Sequence, residues 1–234
     1  MIGSELLDDP SADPNEVRQQ LGDIARLNAW FGGTRAVVDA LQPHFARARG
    51  ETWTALDVGA GSGDILRAAI AAARASGVTL EGVALERHRA AAQLARARGI
   101  PALVADGDAL PLADASVDVV IISQVLHHLP ATQAVSWLAS LDRIARRVVI
   151  VADLRRSRLA MAGLWLAGVP LGLSASTRRD AITSLRRGYT RAEMDALLAR
   201  AGLPARTRYR PWSRVVASWT PRSPSPNFGE GDRG

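Results

Sequence analysis

The stretch Leu56–Asp64, LDVGAGSGD, decides how the rest of the chain is read. The apolar run TWTALDV (52–58) leads into it, and an Ala-rich helical run from Gly63 to Ser76 follows it. A strand, a glycine-rich turn and a helix start form the first unit of a parallel α/β sheet. Such sheets bind ligands at the carboxyl ends of their strands, where this turn sits. Gly59, Gly61 and Gly63 let the backbone turn sharply and come close to a ligand, and Ala60 lies in the same turn.

Strand-like and helix-like runs alternate on either side of this unit. TLEGVALE (79–86), PALVAD (101–106), SVDVVIIS (116–123) and RRVVIVAD (146–153) read as strands, with helices at 88–98 and 131–145 between them. Near-continuous Val/Ile/Leu runs in a βαβα order predict a doubly wound, mostly parallel sheet with helices on both faces. Before it, residues 15–48 predict two helices separated at Gly32–Gly33, an N-terminal helical cap covering 1–50. Residues 1–14 read as flexible. After the sheet, Thr190 and Glu193 form a capping-box pattern for a helix that Gly202 ends. ARTRYRPW and RVVASW read as a strand pair at a sheet edge, and the Pro/Ser/Gly-rich segment 221–234 as a disordered tail.

The apolar run 159–175, LAMAGLWLAGVPLGLSA, is short for a membrane span and carries three Gly and a Pro. It predicts a buried or capping helix–turn segment within an inserted region 154–188, with peripheral membrane contact as the second reading. The acidic N-terminus, MIGSELLDDPSADP, has no apolar core, so a cytoplasmic location is expected. The sequence has no Cys, which removes disulfides and thiolate metal sites. The net charge of +6 comes with no Lys at all. The Arg residues are scattered, without interleaved aromatic platforms, so no nucleic-acid partner is expected.

Three readings of the turn compete. A dinucleotide would rest its diphosphate on the helix N-terminus, but Asp64 stands where the third Gly of that fingerprint belongs, and Asp57 adds a second negative charge. S-adenosylmethionine has no phosphate; it carries a cationic sulfonium and an amino group, which acids suit. A tight turn with no ligand is the third. Glu86, ending the second strand, can accept from ribose hydroxyls. Asp106, ending the third, can accept from an adenine amino group, with the backbone of Gly107 and Asp108 at the ring edge.

LDVGAGSGD, ALE, DGDALPLADASVDVV and SQVLHHL, in this order, resemble the successive motifs of class I S-adenosylmethionine-dependent methyltransferases. The chain looks most like the ubiquinone/menaquinone C-methyltransferase-like group that acts on small molecules. YTRAEMDALLARAGL resembles a helix near the end of such enzymes. The resemblance implies a Rossmann-like seven-stranded sheet with an antiparallel last strand, in a methyltransferase domain over 51–220. It also implies cofactor contacts from Asp57, Gly59, Gly61, Glu86 and Asp106. Ala60, Gly63, Asp64, Arg87, Gly107, Asp108 and Ser123 complete the expected set.

Methyl transfer is a displacement that needs alignment and, for some acceptors, removal of a proton. His127 and His128 follow the fourth strand: one is a candidate base, and capping or packing is the alternative for both. Asp153 either orients substrate or pairs with Arg155 or Arg156. Trp30 and Phe31 close over the ligand or pack in the core, Tyr189 lines the pocket or stacks under its helix, and Trp165 marks the substrate wall. No metal is expected, because Ser123 and Gln124 stand where a metal-assisted site would place an acid. The leading expectation is methyl transfer to O or C of a small, apolar or aromatic metabolite of secondary metabolism. The alternatives are an RNA methyltransferase and an NAD(P)-dependent oxidoreductase; the oligomeric state is left open.

Overall fold

The computed structural model describes residues 5–9, 11–108, 110, 112–168 and 170–222. Strands β1 (Thr52–Val58), β2 (Thr79–Glu86), β3 (Ala102–Val104), β4 (Val117–Ser123), β5 (Ala145–Leu154), β6 (Arg208–Arg210) and β7 (Arg214–Trp219) form one sheet, ordered β3-β2-β1-β4-β5-β7-β6. β7 runs antiparallel to β5 and β6, and β1 to β5 are mutually parallel. The chain winds outward from β1 to β3, then returns to β4 beside β1. That reversal opens a crevice at the carboxyl ends of β1 and β4.

Side-chain alternation splits the core into two layers. Ile121 and Ile150 face α2 (Gly33–Phe45) and α3 (Asp64–Ala75), packing with Leu41, Phe45 and Leu66. Val120, Ile122, Val149 and Val151 face α5 (Ala131–Ile144) and α8 (Arg191–Arg200), packing with Leu138, Leu141, Ile144 and Met194. Both faces are apolar because both are covered, which is why these strands read as unbroken Val/Ile runs. Truncating a fully buried member such as Leu141 to Ala removes roughly 2–5 kcal/mol.

Helix α1 (Pro14–Trp30) starts at Asp13, whose carboxylate accepts from the N–H groups of Asn15 (2.8 Å) and Glu16 (3.1 Å), with Pro14 at the first position. It buries Val17 and Leu21 against Ala90 and Ala91 of α4 (Arg89–Ala97). At α8, Glu193 N donates to Thr190 Oγ1 at 3.2 Å, and Thr190 N donates to Glu193 Oε2 at 2.7 Å, the capping box its sequence predicts.

One expectation changes, and one pair of alternatives is decided. The segment after residue 4 is docked, with Leu6–Asp8 in a 3₁₀ turn and Glu5 buried. Helix α6 (Arg158–Ala167) is not buried, and Leu159, Trp165 and Leu166 are exposed. Three Gly and a Pro across 159–175 keep the segment to ten helical residues that cover a cavity rather than filling the core. α7 (Ala175–Arg187) follows. Of the expected disordered tail, residues 223–234 lie outside the described residues.

Candidate active site

A cavity of about 910 Å³ opens over the carboxyl ends of the parallel strands. Its first wall is the glycine turn. Gly59, Gly61 and Gly63 hold φ of +69°, +54° and +72°, a region that costs other residues about 1–2 kcal/mol. A side chain at Gly59 would also meet Val125 Cγ2 at 2.5 Å, so the cradle closes on the second residue after β4 only because the position has no Cβ. Glu86, at the end of β2, accepts from Gly61 N (2.9 Å) and His88 N (3.0 Å), which fixes its carboxylate beside the turn. Asp57 is buried; that burial, then the charges of Asp64 and Glu86, push its carboxyl well above the usual carboxylate range. Three carboxylates around one turn form a strongly electronegative cradle suited to a cation.

The far side of this wall is equally fixed. Asp108 Oδ1 accepts from Trp137 Nε1 at 2.7 Å and from Gln133 Nε2 at 2.5 Å, and Asp106 Oδ1 accepts from Asp108 N at 3.1 Å. Gly107 lies against the Trp137 ring, where a Cβ would come within 2.2 Å of it. Asp64 accepts from Ser62 Oγ (3.0 Å) and from Asn28 Nδ2 (3.1 Å), and Asn28 Oδ1 in turn accepts from Gln124 Nε2 (2.6 Å).

The second wall holds the histidines. His127, in a 3₁₀ turn (Leu126–His128) after β4, faces Asp153 of β5: Nδ1 and Oδ1 are 2.6 Å apart, and His127 N donates to Oδ2 at 3.3 Å. Both residues are buried, and the other ring nitrogen, Nε2, has no protein partner. Asp153 is further countered by Arg214, whose burial lowers its guanidinium to about 10 against the pull of that carboxylate. His128 stacks 4.2 Å from His127 and places Nδ1 2.7 Å from Asp8 Oδ1. Arg187 of α7 donates from Nη1 to Glu5 Oε1 (3.2 Å) and Asp8 Oδ2 (3.0 Å), and Ser184 Oγ donates to Glu5 Oε2 (2.7 Å). Burial raises the Glu5 carboxyl even against His128, Ser184 and Arg187. Burial pushes Asp8 the same way, but hydrogen bonds from His128, the Glu5 N–H and Arg187 outweigh it and hold it low.

Most residues singled out from the sequence converge here. Asp57, Gly59, Ala60, Gly61, Asp64, Glu86, Arg87, Asp106, Gly107, Asp108, Ser123, Phe31, His127 and His128 all line the cavity. Gly63 is absent from the lining because its role is to turn the chain into α3. Arg87 also ties down the N-terminal segment, donating to the carbonyls of Leu7 (2.9 Å) and Asp8 (3.1 Å).

The rest are placed differently. Asp153 sits behind His127, not against Arg155 or Arg156, because β4 and β5 pair in a register that sets Ser123 beside Ala152. Tyr189 turns away from the cavity, packs in the core and donates its hydroxyl to Leu126 O at 2.8 Å. Trp165 is 68% exposed on the outer face of α6, and Trp30 is 52% exposed at the end of α1; neither lines the cavity. In their place the wall carries Leu159, Ala160 and Leu164 of α6, and Trp212, packed edge-on against Phe31. Glu5, Asn28, Arg187 and Trp212 escaped the sequence reading, which placed Gln124 at a strand end without a binding role. The only signal for Glu5 was an unusually acidic N-terminus.

Residues 56–151 match the family model described as a methyltransferase domain. No curated protein matches the chain. Among solved structures, a SAM-dependent methyltransferase from Aquifex aeolicus aligns with TM-score 0.61 at 18% identity, over 89% of this chain and 98% of its own. An O-methyltransferase (NcsB1) from neocarzinostatin biosynthesis, in complex with S-adenosyl-L-homocysteine and 1,4-dihydroxy-2-naphthoic acid, aligns with TM-score 0.60 at 22% identity, over 92% and 61%. Human N-acetylserotonin methyltransferase in complex with SAM aligns with TM-score 0.60 at 14% identity, over 91% and 57%. At these identities the likeness establishes a shared fold, a seven-stranded, mostly parallel Rossmann-like sheet.

Proposed function

We propose that this S-adenosylmethionine-dependent methyltransferase acts on a hydroxyl oxygen of a small, largely apolar acceptor, with His127 taking the hydroxyl proton. The observation that carries the reading is the buried His127–Asp153 pair, with Nε2 unpartnered in a residue that lines the cavity. A neutral imidazole that donates from Nδ1 to a carboxylate keeps a lone pair on Nε2, and the carboxylate stabilises the imidazolium once the proton arrives.

The cradle fits the cofactor. Asp57, Asp64 and Glu86 oppose a cationic ligand with no competing cation among their hydrogen-bond partners, and Gly59 and Gly61 hold the left-handed φ values that set the turn beside them. Asp57 and the turn would hold the amino-acid end, Glu86 the ribose, and Asp106 with Gly107 and Asp108 the adenine. When bound, S-adenosylmethionine supplies a methyl group on a sulfonium. The chain's own work is to bind the acceptor, orient its oxygen and hold the proton at His127 Nε2.

The apolar wall argues for a lipophilic acceptor. Leu159 and Leu164 of α6, Ile24 and Leu27 of α1, Phe31 and Trp212 line one end. Leu159, Trp165 and Leu166 continue that surface outward at 87%, 68% and 68% exposure, beside Arg155, Arg156 and Arg158, a pattern that supports peripheral contact with an anionic membrane. No helix among the described residues is long and apolar enough to cross a membrane.

A panel of phenolic acceptors with radiolabelled cofactor tests the reading. Turnover should fall by about 10²–10⁴ in His127→Ala and strongly in Asp153→Asn, with cofactor affinity retained. If both variants keep full turnover on the best acceptor, His127 is not the base.

A further inference from the structure

The two histidines and the N-terminal glutamate have a second chemistry available to them. Glu5, His127 and His128 each bring one ligand atom within 4.8 Å of the others, and His128 Nε2 stands 3.9 Å from Glu5 Oε2. We propose that Glu5, His127 and His128 form a binding site for a divalent transition-metal ion of the zinc type.

Three observations support it. Each imidazole has its Nδ1 against a carboxylate, His127 on Asp153 at 2.6 Å and His128 on Asp8 at 2.7 Å, which leaves Nε2 as the ligand nitrogen of both. A carboxylate behind the far ring nitrogen is the usual outer shell of a metal-bound histidine, since it fixes the tautomer and raises the basicity of the ligand atom. The glutamate is anchored in the same way, by Ser184 Oγ on Oε2 and Arg187 on Oε1. The independent observation is His127 Nε2 itself, a polar atom in a side chain only 2% exposed, at the cavity and without a partner.

The donor set names the class of ion. Two imidazoles and one carboxylate suit zinc, cobalt, nickel or ferrous iron and give little to magnesium or calcium, which prefer oxygen. Three protein ligands leave further positions open toward the cavity, as in reactive rather than structural sites. The charged groups around the site are Glu5, Asp8 and Asp153 against Arg187 and Arg214, so the acids outnumber the nearby cations by one. An ion here would occupy the lone pair with which His127 takes the acceptor proton. On the reading proposed above, which this consequence rests on, metal loading and base catalysis exclude one another.

The test is titration of the full chain, without an affinity tag or acceptor, with Zn²⁺ by calorimetry and Co²⁺ by visible absorption. One equivalent should bind, with Co²⁺ bands of low coordination number and no uptake of Mg²⁺. Asp8→Asn should weaken binding about 10–100-fold, and Glu5→Gln and His128→Gln should weaken it further. His44→Ala, on α2 and outside the cavity, should bind as the parent does. Circular dichroism confirms the fold of each variant. Absence of saturable binding, or binding that survives Glu5→Gln and His128→Gln together, overturns the site. Because binding is read without turnover, its failure leaves the base assignment of His127 standing.

Discussion

The two walls of the cavity are built on opposite plans. The proposed cofactor wall is built on strand ends: Asp57–Asp64, Glu86–His88 and Asp106–Asp108 follow three neighbouring strands. Some of their hydrogen bonds join near neighbours, such as Glu86 to His88 and Asp106 to Asp108, and others reach further, such as Asn28 to Asp64 across 36 residues. The acceptor wall is assembled from distant parts. Ser184 reaches Glu5 across 179 residues, and His128 reaches Asp8 across 120. A wall made by strand ends and a tight turn is specified by local backbone geometry. A wall made by converging side chains is specified only when the whole chain has folded.

Substitutions can break that contrast at either side. The largest effect is expected at Gly59→Ala, where the Cβ meets Val125 at 2.5 Å and φ is +69°. The combined strain and overpacking should cost about 3 kcal/mol and abolish cofactor binding. Thermal melts and calorimetry read both; an unchanged midpoint would show that the turn relaxes freely. Next, Glu86→Ala removes a carboxylate that organises the turn and should weaken cofactor binding about 10–100-fold, with the acceptor KM held once cofactor saturates.

Asp57 offers a pH test. Burial, Asp64 and Glu86 raise its carboxyl, and a cationic ligand favours the ionised form. Binding should therefore lower its pKa, release protons and tighten as pH rises. Calorimetry in buffers of different ionisation heat measures the release, and proton uptake would contradict the assignment. On the other wall, Arg187→Ala loosens Glu5 and Asp8 and should raise the acceptor KM by about fivefold, near 1 kcal/mol, leaving cofactor affinity intact. Equal damage to both ligands would erase the distinction between the walls. The smallest effect belongs to Trp165→Ser, which should change stability by no more than about 0.5 kcal/mol while reducing sedimentation with anionic vesicles. Unchanged sedimentation would remove the membrane contact from the proposal.

Legibility followed the same divide. The strands over 52–58 and 79–86 coincide with their sequence-predicted runs, because each alternates exposed and buried residues at its start and buries apolar residues toward its carboxyl end. Gly59, Glu86 and Asp106 were legible because a turn and two strand ends fix their direction. Asp153 was seen, yet its partner was not: the pairing of β4 with β5 places it on His127, and register is a property of the sheet. Of the two readings of the apolar run around Trp165, buried or capping, α6 takes the capping one. Composition reports that a segment is apolar, and only packing decides whether protein, ligand or solvent faces it.

The sequence by itself therefore determined the sheet and the glycine turn with its flanking carboxylates, since periodicity, glycine turns and terminal carboxylates act over a few residues. Tertiary structure alone decided the histidine wall. It carried Glu5 and Asp8 onto His128, set Asp153 behind His127, and laid α6 over the cavity with Ala160 and Leu164 toward it and Trp165 and Leu166 exposed. The physical reason is range: backbone conformation is encoded locally, whereas side chains from opposite ends of the chain meet only after the core has fixed where each end lies.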